Sequence, residues 1–440
     1  MPRADAWQRW HRLGTLLLLG VASGLPFDLT YGTLQLWFAD VGIAATVDPN
    51  GVPIVPQGAL DLTELGLFSL LALPYTLKPL WSPLLDRYMP VGLARLGRRR
   101  GWILVAQVLI AAGLVAMAMV PPLEAPYVLA GLALLVAFAS ATQDIVVDAY
   151  RTDLLPPRDR GLGATVASFG YRGGMLLAGA VAPIVATFAS WRAAYLVMAG
   201  VALLGLIATL TAPPEPVDPN RPPPRTLTDA IVLPFRNLLG RTQIVALLAL
   251  VFLYKLGDAF AVSVLSPFLR KELGFDPAEI GTMKKTVGTI AVLVGMAIGG
   301  VAMTRMRLSR ALLFFGILQA GTNLVLYALA AAGKDYALFA AATLSDNLAS
   351  GLGAVAFVAF LTGLCDTRFS ATQYALLGSI AQLGRALVGA IAGPTADAVG
   401  WEGYFLISTA VAIPGLLLVV WLSRTLDDLD PRPGRQKAVG

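Results

Sequence analysis

The stretch "ATQDIVVDAYRTD", residues 141–153, places carboxylates and amides at the end of an otherwise apolar run. Asp144 and Asp148 are four residues apart, so they share one face of a helix, with Arg151 one turn further on. Two carboxylates placed in this way repel each other unless one is protonated or a cation lies between them. We expect Arg87 and Arg151 to be the available cations. A carboxylate that exchanges a proton is the chemistry that this spacing offers.

The stretch divides into two predicted roles. Gln143 and Asp144 lie deeper along the apolar run, and we interpret Gln143 as a substrate ligand and Asp144 as a proton carrier. Asp148, Arg151 and Asp153 lie at its exit, where we expect charges that hold a gate closed and have a mainly structural role.

The composition of the chain is that of a membrane protein. Its 440 residues are 57% hydrophobic and 14% charged, with a mean hydropathy of +0.71, whereas soluble domains are about 25% charged. A single cysteine, Cys365, excludes an intramolecular disulfide and a cysteine-built metal cluster, and a single histidine, His11, excludes an HExxH site. We expect no cofactor, no metal and no nucleic-acid partner, because net positive charge is expected of loops beside a membrane.

The elements that must position these residues are transmembrane helices, each of about 20 mostly apolar residues. The sequence predicts an all-α integral membrane protein with twelve spans in two six-helix bundles, at 13–39, 62–84, 102–121, 126–149, 161–188, 190–212, 243–269, 277–304, 309–332, 336–363, 370–398 and 401–423. Arginines are concentrated in the N-terminal segment and in alternate loops, which predicts that both termini are cytoplasmic.

The two halves of the chain resemble each other. A shift of 210 residues aligns Trp191 with Trp401 and Gly179 with Gly389, which favours a parallel six-helix repeat over chance similarity. The proline-rich segment 213–229 divides the halves and is typical of a semi-rigid linker. We predict an N-terminal bundle at 1–212, a linker at 213–240, a C-terminal bundle at 241–424 and a cytoplasmic tail at 425–440, with an outer-loop insertion at 44–60.

Ionisable and polar residues inside the predicted spans are candidates for binding, because each charge costs about 2.5–3.5 kcal/mol at the centre of a bilayer. Their basic members suit an anionic substrate, and the amides and phenols suit hydroxyl groups and sugar rings. The predicted substrate-binding residues are Asp28, Tyr31, Gln35, Lys78, Gln143, Tyr171, Arg172, Lys255, Lys284, Asn347, Gln382 and Arg385. Asp258 joins Asp144 as a predicted proton-coupling residue.

Several of these residues have a plainer structural interpretation. Lys255 and Asp258, three residues apart, are equally well explained as an internal ion pair. Lys78 lies near the end of its span and could extend toward the interface. Of the adjacent Lys284 and Lys285, only one can face a cavity. The glycine pairs 170/174, 295/299 and 389/393 are best explained by close helix packing.

The segment "SPLLDRYMPVGLARLGRRRG", 82–101, resembles the G-x-x-x-D-R-x-G-R-R motif between spans 2 and 3 of the major facilitator superfamily. Asp86 and Arg87 match its central pair, although Ser82 stands at the glycine position. The resemblance implies that this segment braces the cytoplasmic gate, so Asp86 and Arg87 are predicted gate residues together with Asp148 and Arg151.

Longer strings resemble one branch of that superfamily, the AmpG-type muropeptide permeases: "GLPFDLTYGTLQLWF", "KPLWSPLLDRY", "ATQDIVVDAYRTDLLP", "YKLGDAF" and "FSATQYALL". The resemblance covers all the predicted spans. It implies a monomeric multi-pass protein of the bacterial inner membrane that imports anhydro-muropeptides with protons, for peptidoglycan recycling and, in some bacteria, β-lactamase induction.

Other functions remain open at this point. The chain could transport another anion such as acetyl-CoA or a drug, or act as a membrane receptor without transport. An integral-membrane enzyme is disfavoured, because no nucleophile lies beside a general base in the sequence pattern.

Overall fold

The computed structural model describes residues 3–30, 32–43, 71, 73–122, 124–156, 159–215 and 226–429. Every regular element within these ranges is helical, as the composition predicts. Tyr31 and the predicted insertion at 44–60 lie outside the described residues, and so does the side chain of Gln35.

The α-helices are numbered here in chain order. They are α1 (Arg3–Thr30), α2 (Gly32–Ile43), α3 (Leu73–Thr76), α4 (Ser82–Arg87), α5 (Arg98–Met119), α6 (Pro126–Leu154), α7 (Arg160–Leu176), α8 (Ala182–Phe188), α9 (Trp191–Thr211), α10 (Leu227–Leu239), α11 (Ile244–Leu253), α12 (Leu256–Ser263), α13 (Leu265–Pro267), α14 (Pro277–Thr282), α15 (Thr289–Met303), α16 (Leu308–Ala332), α17 (Tyr336–Gly363), α18 (Ser370–Trp421) and α19 (Ser423–Asp428). The shorter segments are the 3-10 turns Lys78–Leu80 and Ala94–Leu96 and the π-helices Leu177–Val181, Phe268–Glu272 and Met283–Gly288.

Among the described residues, 10 helical stretches are long and apolar enough to cross a membrane. The difference from the twelve predicted spans has two causes: one span is only partly described, and two others form one helical element. The span predicted at 62–84 is described only from residue 71, and its described part consists of short helical elements: α3, the 3-10 turn Lys78–Leu80 and the beginning of α4. The spans predicted at 370–398 and 401–423 form the single element α18, whose backbone leaves the helical conformation at Gly400 (φ 71°, ψ 171°). The predicted boundary therefore falls at the residue that breaks the helix.

The chain divides into two compact units. The first contains 1–154, 166–231 and 367–372, and the second contains 155–165, 232–366 and 373–440. Short segments are thus exchanged between the two sequence halves: the start of α18 belongs to the first unit, and the start of α7 belongs to the second.

Each unit has its own apolar core, and a tryptophan at a matched position of the repeat packs on an aromatic ring in each. Trp191 stacks on Trp37 in the first unit, with ring centroids 6.1 Å apart. Trp401 packs on Phe268 in the second, at 4.9 Å. This packing explains why the two tryptophans recur at the same place in the halves.

The segment predicted as a linker contains a helix. Its proline-rich beginning is followed by α10, which begins near Leu227 and continues through Pro234 to Leu239. Gln373 fixes this helix in the second unit, since its amide nitrogen donates to the carbonyl oxygen of Pro234 and to Oδ1 of Asn237, both at 3.0 Å. The apolar residues of α10 recur with helical spacing, which indicates a helix. The prolines that precede them in the sequence favoured a non-helical interpretation of the segment instead.

Glycines let helices approach each other closely at two places. In the first unit, a methyl group on Gly24 would overlap the carbonyl oxygen of Tyr171, and one on Gly174 would overlap that of Val21. In the second, Gly295 meets the carbonyl oxygen of Leu348 in the same way. The packing predicted for 170/174 and 295/299 is therefore found. At Gly393, no described atom lies within 4 Å of where a side chain would be, so the third pair is not a packing contact there.

Gly24→Ala is expected to destabilise the protein by about 1–3 kcal/mol, because helix α1 must move away from the backbone of α7 to fit the methyl group. Thermal unfolding of the purified protein measures this loss. Gly14→Ala is the matched control on the same helix, since nothing lies within 4 Å of the added methyl group there. Equal unfolding temperatures for the two variants would contradict the close contact.

Candidate functional site

A buried ion pair lies in the first unit between Lys78 and Asp144. The ammonium nitrogen of Lys78 is 2.8 Å from Oδ2 of Asp144, and both side chains are largely shielded from solvent. Lys78 reaches this position from the 3-10 turn that follows α3, and its ammonium lies 5.3 Å from the ring centre of Tyr75. The indole nitrogen of Trp81 donates to Thr142 at 3.1 Å, which ties this turn to α6. The fold thus positions one cation against the carboxylate predicted to carry a proton.

This pairing differs from the expectation that Arg87 and Arg151 neutralise the two carboxylates. Arg151 does pair with Asp148, at 2.9 Å on the same helix. Arg87, in contrast, lies beside the ring of Tyr88, at 5.3 Å. Lys78 takes the place expected for Arg87, and it makes an ion pair rather than extending to the membrane surface.

A small polar cavity borders the ion pairs. It has a volume of about 120 Å³ and is lined by polar side chains of three helices: Ser23, Asp144, Asp148, Arg151, Ser168 and Tyr171. Beside it, the amide nitrogen of the fully buried Gln143 donates to Ser23 Oγ at 3.2 Å. Oε1 of Gln143 accepts no hydrogen bond from the described residues, so an acceptor is left over for a ligand or water. This cavity is smaller than a pocket for a drug-sized ligand, about 300–1,000 Å³, and it suits one polar group or a few waters.

Asp28 lies apart from this cavity, against the π-helix Leu177–Val181. A methyl group on Gly179 would overlap Oδ2 of Asp28, so the carboxylate lies directly on this segment. π-helical turns often occur at functional sites. Arg172 is partly exposed on α7. Among the described residues predicted as ligands in the first unit, Lys78, Gln143 and Tyr171 lie at or beside the cavity.

The second unit contains a separate cluster around Lys255. The chain leaves the α-helical conformation at this residue, between α11 and α12, and its ammonium nitrogen donates to Oε1 of Gln319 at 3.0 Å. Oδ2 of Asp258 is 3.9 Å away. The predicted ion pair between Lys255 and Asp258 therefore forms, but its distance is longer than that between Lys255 and Gln319. Gln319 was missed in the sequence because a lone amide on an apolar helix gives no signal of its partner.

A second carboxylate of this unit, Asp346, lies in an apolar span but was not among the predicted site residues. It is buried, accepts a hydrogen bond from Thr322 Oγ1 at 3.4 Å, and lines a cavity of about 20 Å³ with Lys284 and Asn347. Lys284 reaches the cavity from the π-helix Met283–Gly288 and donates to Ser266 at 2.8 Å. Its neighbour Lys285 has no described side chain.

The remaining predicted ligands of this unit are Gln382, Arg385 and Asn347. Gln382 and Arg385 are exposed on α18. Asn347 donates to the carbonyl oxygen of Thr343 at 2.8 Å, on its own helix.

The comparisons with known proteins agree with these elements. A model of the Major Facilitator Superfamily matches residues 16–330 and 247–439, and together the two matches include almost the whole chain. The chain belongs to the major facilitator superfamily.

Two relatives within this superfamily are similar to the chain over most of its length. It is 44% identical over 417 residues to the anhydromuropeptide permease of Escherichia coli (strain K12), covering 94% of this chain and 80% of that protein. It is 32% identical over 418 residues to a putative transporter, AmpG 4, of Rickettsia conorii, covering 94% and 97%. The resemblance to AmpG-type permeases seen in the motifs is thereby confirmed.

Solved structures show the same superfamily fold. The proton:xylose symporter XylE aligns with a TM-score of 0.67 and 15% identity over 97% of this chain and 99% of the symporter. The human organic anion transporter MFSD10 aligns with a TM-score of 0.67 and 16% identity over 93% and 99%. At these identities the likeness concerns the fold alone. The superfamily match and the apolar helical stretches make this chain a multi-pass membrane protein.

The superfamily motif at 82–101 is organised around Arg99 rather than Arg87. The guanidinium of Arg99 is completely buried and lies 2.7 Å from Oδ1 of Asp86 and 3.1 Å from Oδ2 of Asp153. It also donates to Ser370 Oγ at 2.9 Å. The sequence motif pointed to Asp86 and Arg87 because they match its central pair, whereas the fold pairs Asp86 with a residue 13 positions later.

Asp86 also receives hydrogen bonds from the start of α18. Its Oδ2 accepts from the backbone nitrogen of Thr372 at 2.8 Å and from the hydroxyl of Thr372 at 2.6 Å. All of these residues belong to the first unit. The Arg99 cluster, as it is named here, consists of Asp86, Arg99, Asp153, Ser370 and Thr372, and its charges are paired inside the protein.

Glu215, at the start of the linker, caps the helix that carries Arg99. Its two carboxylate oxygens accept from the backbone nitrogens of Arg98 and Arg99, each at 2.9 Å. Backbone nitrogens of the first helical turn have no acceptor within the helix, and the helix dipole also favours an anion at this end.

Glu215→Gln is expected to lower the free energy of unfolding by about 1 kcal/mol, since the neutral amide can accept with only one of its two polar atoms. Thermal unfolding in detergent measures this change. Glu272→Gln removes the same charge from an exposed glutamate at the end, not the start, of the π-helix Phe268–Glu272, and is expected to have no destabilising effect. An equal or larger loss for Glu272→Gln than for Glu215→Gln would contradict the capping role.

Proposed function

We propose that this chain is an importer of anhydro-muropeptides in the bacterial inner membrane, driven by the proton gradient and working by alternating access. The observation that carries the proposal is the 44% identity with the anhydromuropeptide permease, which extends over 94% of this chain. The imported compounds, N-acetylglucosaminyl-1,6-anhydro-N-acetylmuramyl peptides, would enter peptidoglycan recycling in the cytoplasm.

The proposed topology has twelve spans, a linker at 213–240 and both termini in the cytoplasm. The concentration of arginine in alternate loops supports this orientation. A further support is the break at Gly400, where one continuous helical element would divide into two spans. Cysteine labelling from the outside, with Cys365 replaced first, tests each loop, and labelling at residue 95 of sealed cells would contradict the orientation.

The polar groups of each unit suit different parts of such a substrate. In the first unit, Gln143 and Tyr171 offer amide and phenol groups for sugar hydroxyls and N-acetyl groups. In the second, Lys255 and Lys284 offer ammonium groups for peptide carboxylates, and Asn347 offers an amide. We propose Asp28, Tyr31, Gln35, Lys78, Arg172, Gln382 and Arg385 as further ligands on the basis of their place in the apolar spans.

For coupling, we propose that Asp144 takes up the proton, and that Asp258 does so in the second unit. Protonation of Asp144 removes the charge that holds Lys78, so the ammonium of Lys78 becomes available to an anionic group. The same logic applies to Asp258 and Lys255, whose longer separation makes their coupling weaker.

Uptake of a labelled anhydro-muropeptide by cells that lack their own permease tests the proposal. Cells expressing this chain are expected to accumulate the label, and unlabelled muropeptide is expected to compete while acetyl-CoA does not. Competition by acetyl-CoA alone would favour transport of that anion instead. Saturable binding without accumulation would favour a receptor.

A further inference from the structure

A basic cavity of about 310 Å³ lies in the second unit, where α16 begins and α18 ends. Its charged lining consists of Arg307, Arg310, Arg424 and Asp427. Three guanidinium groups face one carboxylate, so the cavity has a net positive charge. None of these residues belongs to the clusters described above.

The single carboxylate of the cavity already has its partners. Oδ2 of Asp427 lies 3.3 Å from a guanidinium nitrogen of Arg307, and Oδ1 accepts from the backbone nitrogen of Ser309 at 3.2 Å. Asp427 therefore neutralises Arg307 and completes the first turn of α16. Arg310 and Arg424 are exposed, and neither has an ion pair within residues 226–429. The cavity offers two guanidinium groups that an anion with several oxygens would satisfy.

The border of the cavity is apolar and lies at the end of two membrane-spanning helices. The apolar spans Leu308–Ala332 and Ile391–Trp421 both have one end here. Val420, which lines the cavity, and its neighbour Trp421 are 55% and 63% exposed, and Phe314 on α16 is 55% exposed. Tryptophan favours the level of lipid headgroups. A ligand at this place would have its charged part between the arginines and its apolar part along these side chains.

The residues that follow Leu429 in the sequence contain fewer acidic than basic side chains. Residues 430–440 contain Arg432, Arg435 and Lys437 against a single carboxylate, Asp430. The net positive charge of this segment favours an anionic membrane surface.

We propose that this cavity binds the phosphate headgroup of an anionic phospholipid, with Arg310 and Arg424 as its ligands and the acyl chains against Val420 and Trp421. In the proposed orientation, this end of the helices lies at the cytoplasmic leaflet. Basic pockets between transmembrane helices on that side are suited to such headgroups. The proposal does not depend on what the protein transports.

Native mass spectrometry of the full chain, released from nanodiscs of mixed phosphatidylglycerol and phosphatidylcholine, tests the proposal. The unaltered protein is expected to retain one phosphatidylglycerol in preference to phosphatidylcholine. The double variant Arg310→Gln/Arg424→Gln is expected to bind phosphatidylglycerol about tenfold more weakly or worse, since each arginine near a lipid surface contributes about 1 kcal/mol.

Two matched controls remove the same charge outside the cavity. Arg305 lies in the turn before α16, and Arg236 lies on α10; both residues are exposed. The variants Arg305→Gln and Arg236→Gln are both expected to retain the lipid. As a second measurement, phosphatidylglycerol is expected to raise the unfolding temperature of the unaltered protein and not that of the double variant. Equal retention by the double variant, or equal retention of phosphatidylcholine, would overturn the proposal. Full displacement of the lipid by millimolar inorganic phosphate would instead identify a site for soluble phosphate.

Discussion

Replacing Asp144 with asparagine is expected to abolish proton-driven accumulation of substrate while leaving much of its binding intact. Asparagine keeps the shape of the side chain but cannot exchange a proton, and it leaves the ammonium of Lys78 without a charge partner at 2.8 Å. Removing one member of a buried ion pair costs about 3–5 kcal/mol, so some loss of stability is expected as well.

The measurement separates binding, transport and stability for the same purified protein. Binding of muropeptide is measured in detergent, accumulation in sealed vesicles with an imposed proton gradient, and unfolding by heat. In the double variant Lys78→Met/Asp144→Asn no charge is left unpaired, so stability is expected to recover although accumulation does not. Asp148→Asn is the matched control, because Asp148 is more exposed and its partner Arg151 lies on the same helix.

Two outcomes would contradict this account of Asp144. Equal loss of binding and accumulation would make Asp144 a substrate ligand or a purely structural residue. Recovery of accumulation in the double variant would mean that the ion pair, rather than the exchangeable proton, is what transport requires.

Replacing Arg99 with lysine is expected to destabilise the protein by about 3–5 kcal/mol and to reduce transport in proportion to the folded fraction. Arg99 is completely buried: its Nη2 donates to both Asp86 and Ser370, and its Nε donates to Asp153. Lysine keeps the charge but has a single nitrogen without the planar fork, so at least one buried carboxylate loses its partner.

Thermal unfolding and uptake are measured together for this variant. Arg95→Lys is the control, since Arg95 lies in the same loop, is exposed and lies outside the Arg99 cluster. Unchanged stability of Arg99→Lys would contradict the role of the fork in holding Asp86 and Asp153.

The membrane character and the element boundaries could be predicted because apolar runs and glycine breaks are local features. The boundary between 398 and 401 was predicted from composition, and the backbone breaks there, at Gly400. Helix α10 was missed because the prolines before it dominate the local pattern, although its own residues have helical spacing.

The partners of the charged residues could not be predicted, because they are set by tertiary packing. Lys78 and Asp144 are 66 positions apart, and nothing in either string indicates the other. Arg99 and Ser370 are 271 positions apart. Asp86 lies beside Arg87 in the sequence but pairs with Arg99, whereas Asp148 and Arg151, one helical turn apart, do pair as expected.

The central claim is that this chain moves anhydro-muropeptide inward with protons. The most direct test is uptake of a defined, labelled GlcNAc-1,6-anhydroMurNAc tripeptide into proteoliposomes that contain only this protein. We predict accumulation above the external concentration when the outside is acidic, and its collapse when a protonophore is added. Uptake that only reaches the external concentration, with or without a proton gradient, would contradict proton coupling. Uptake equal to that of empty liposomes would contradict transport of this substrate.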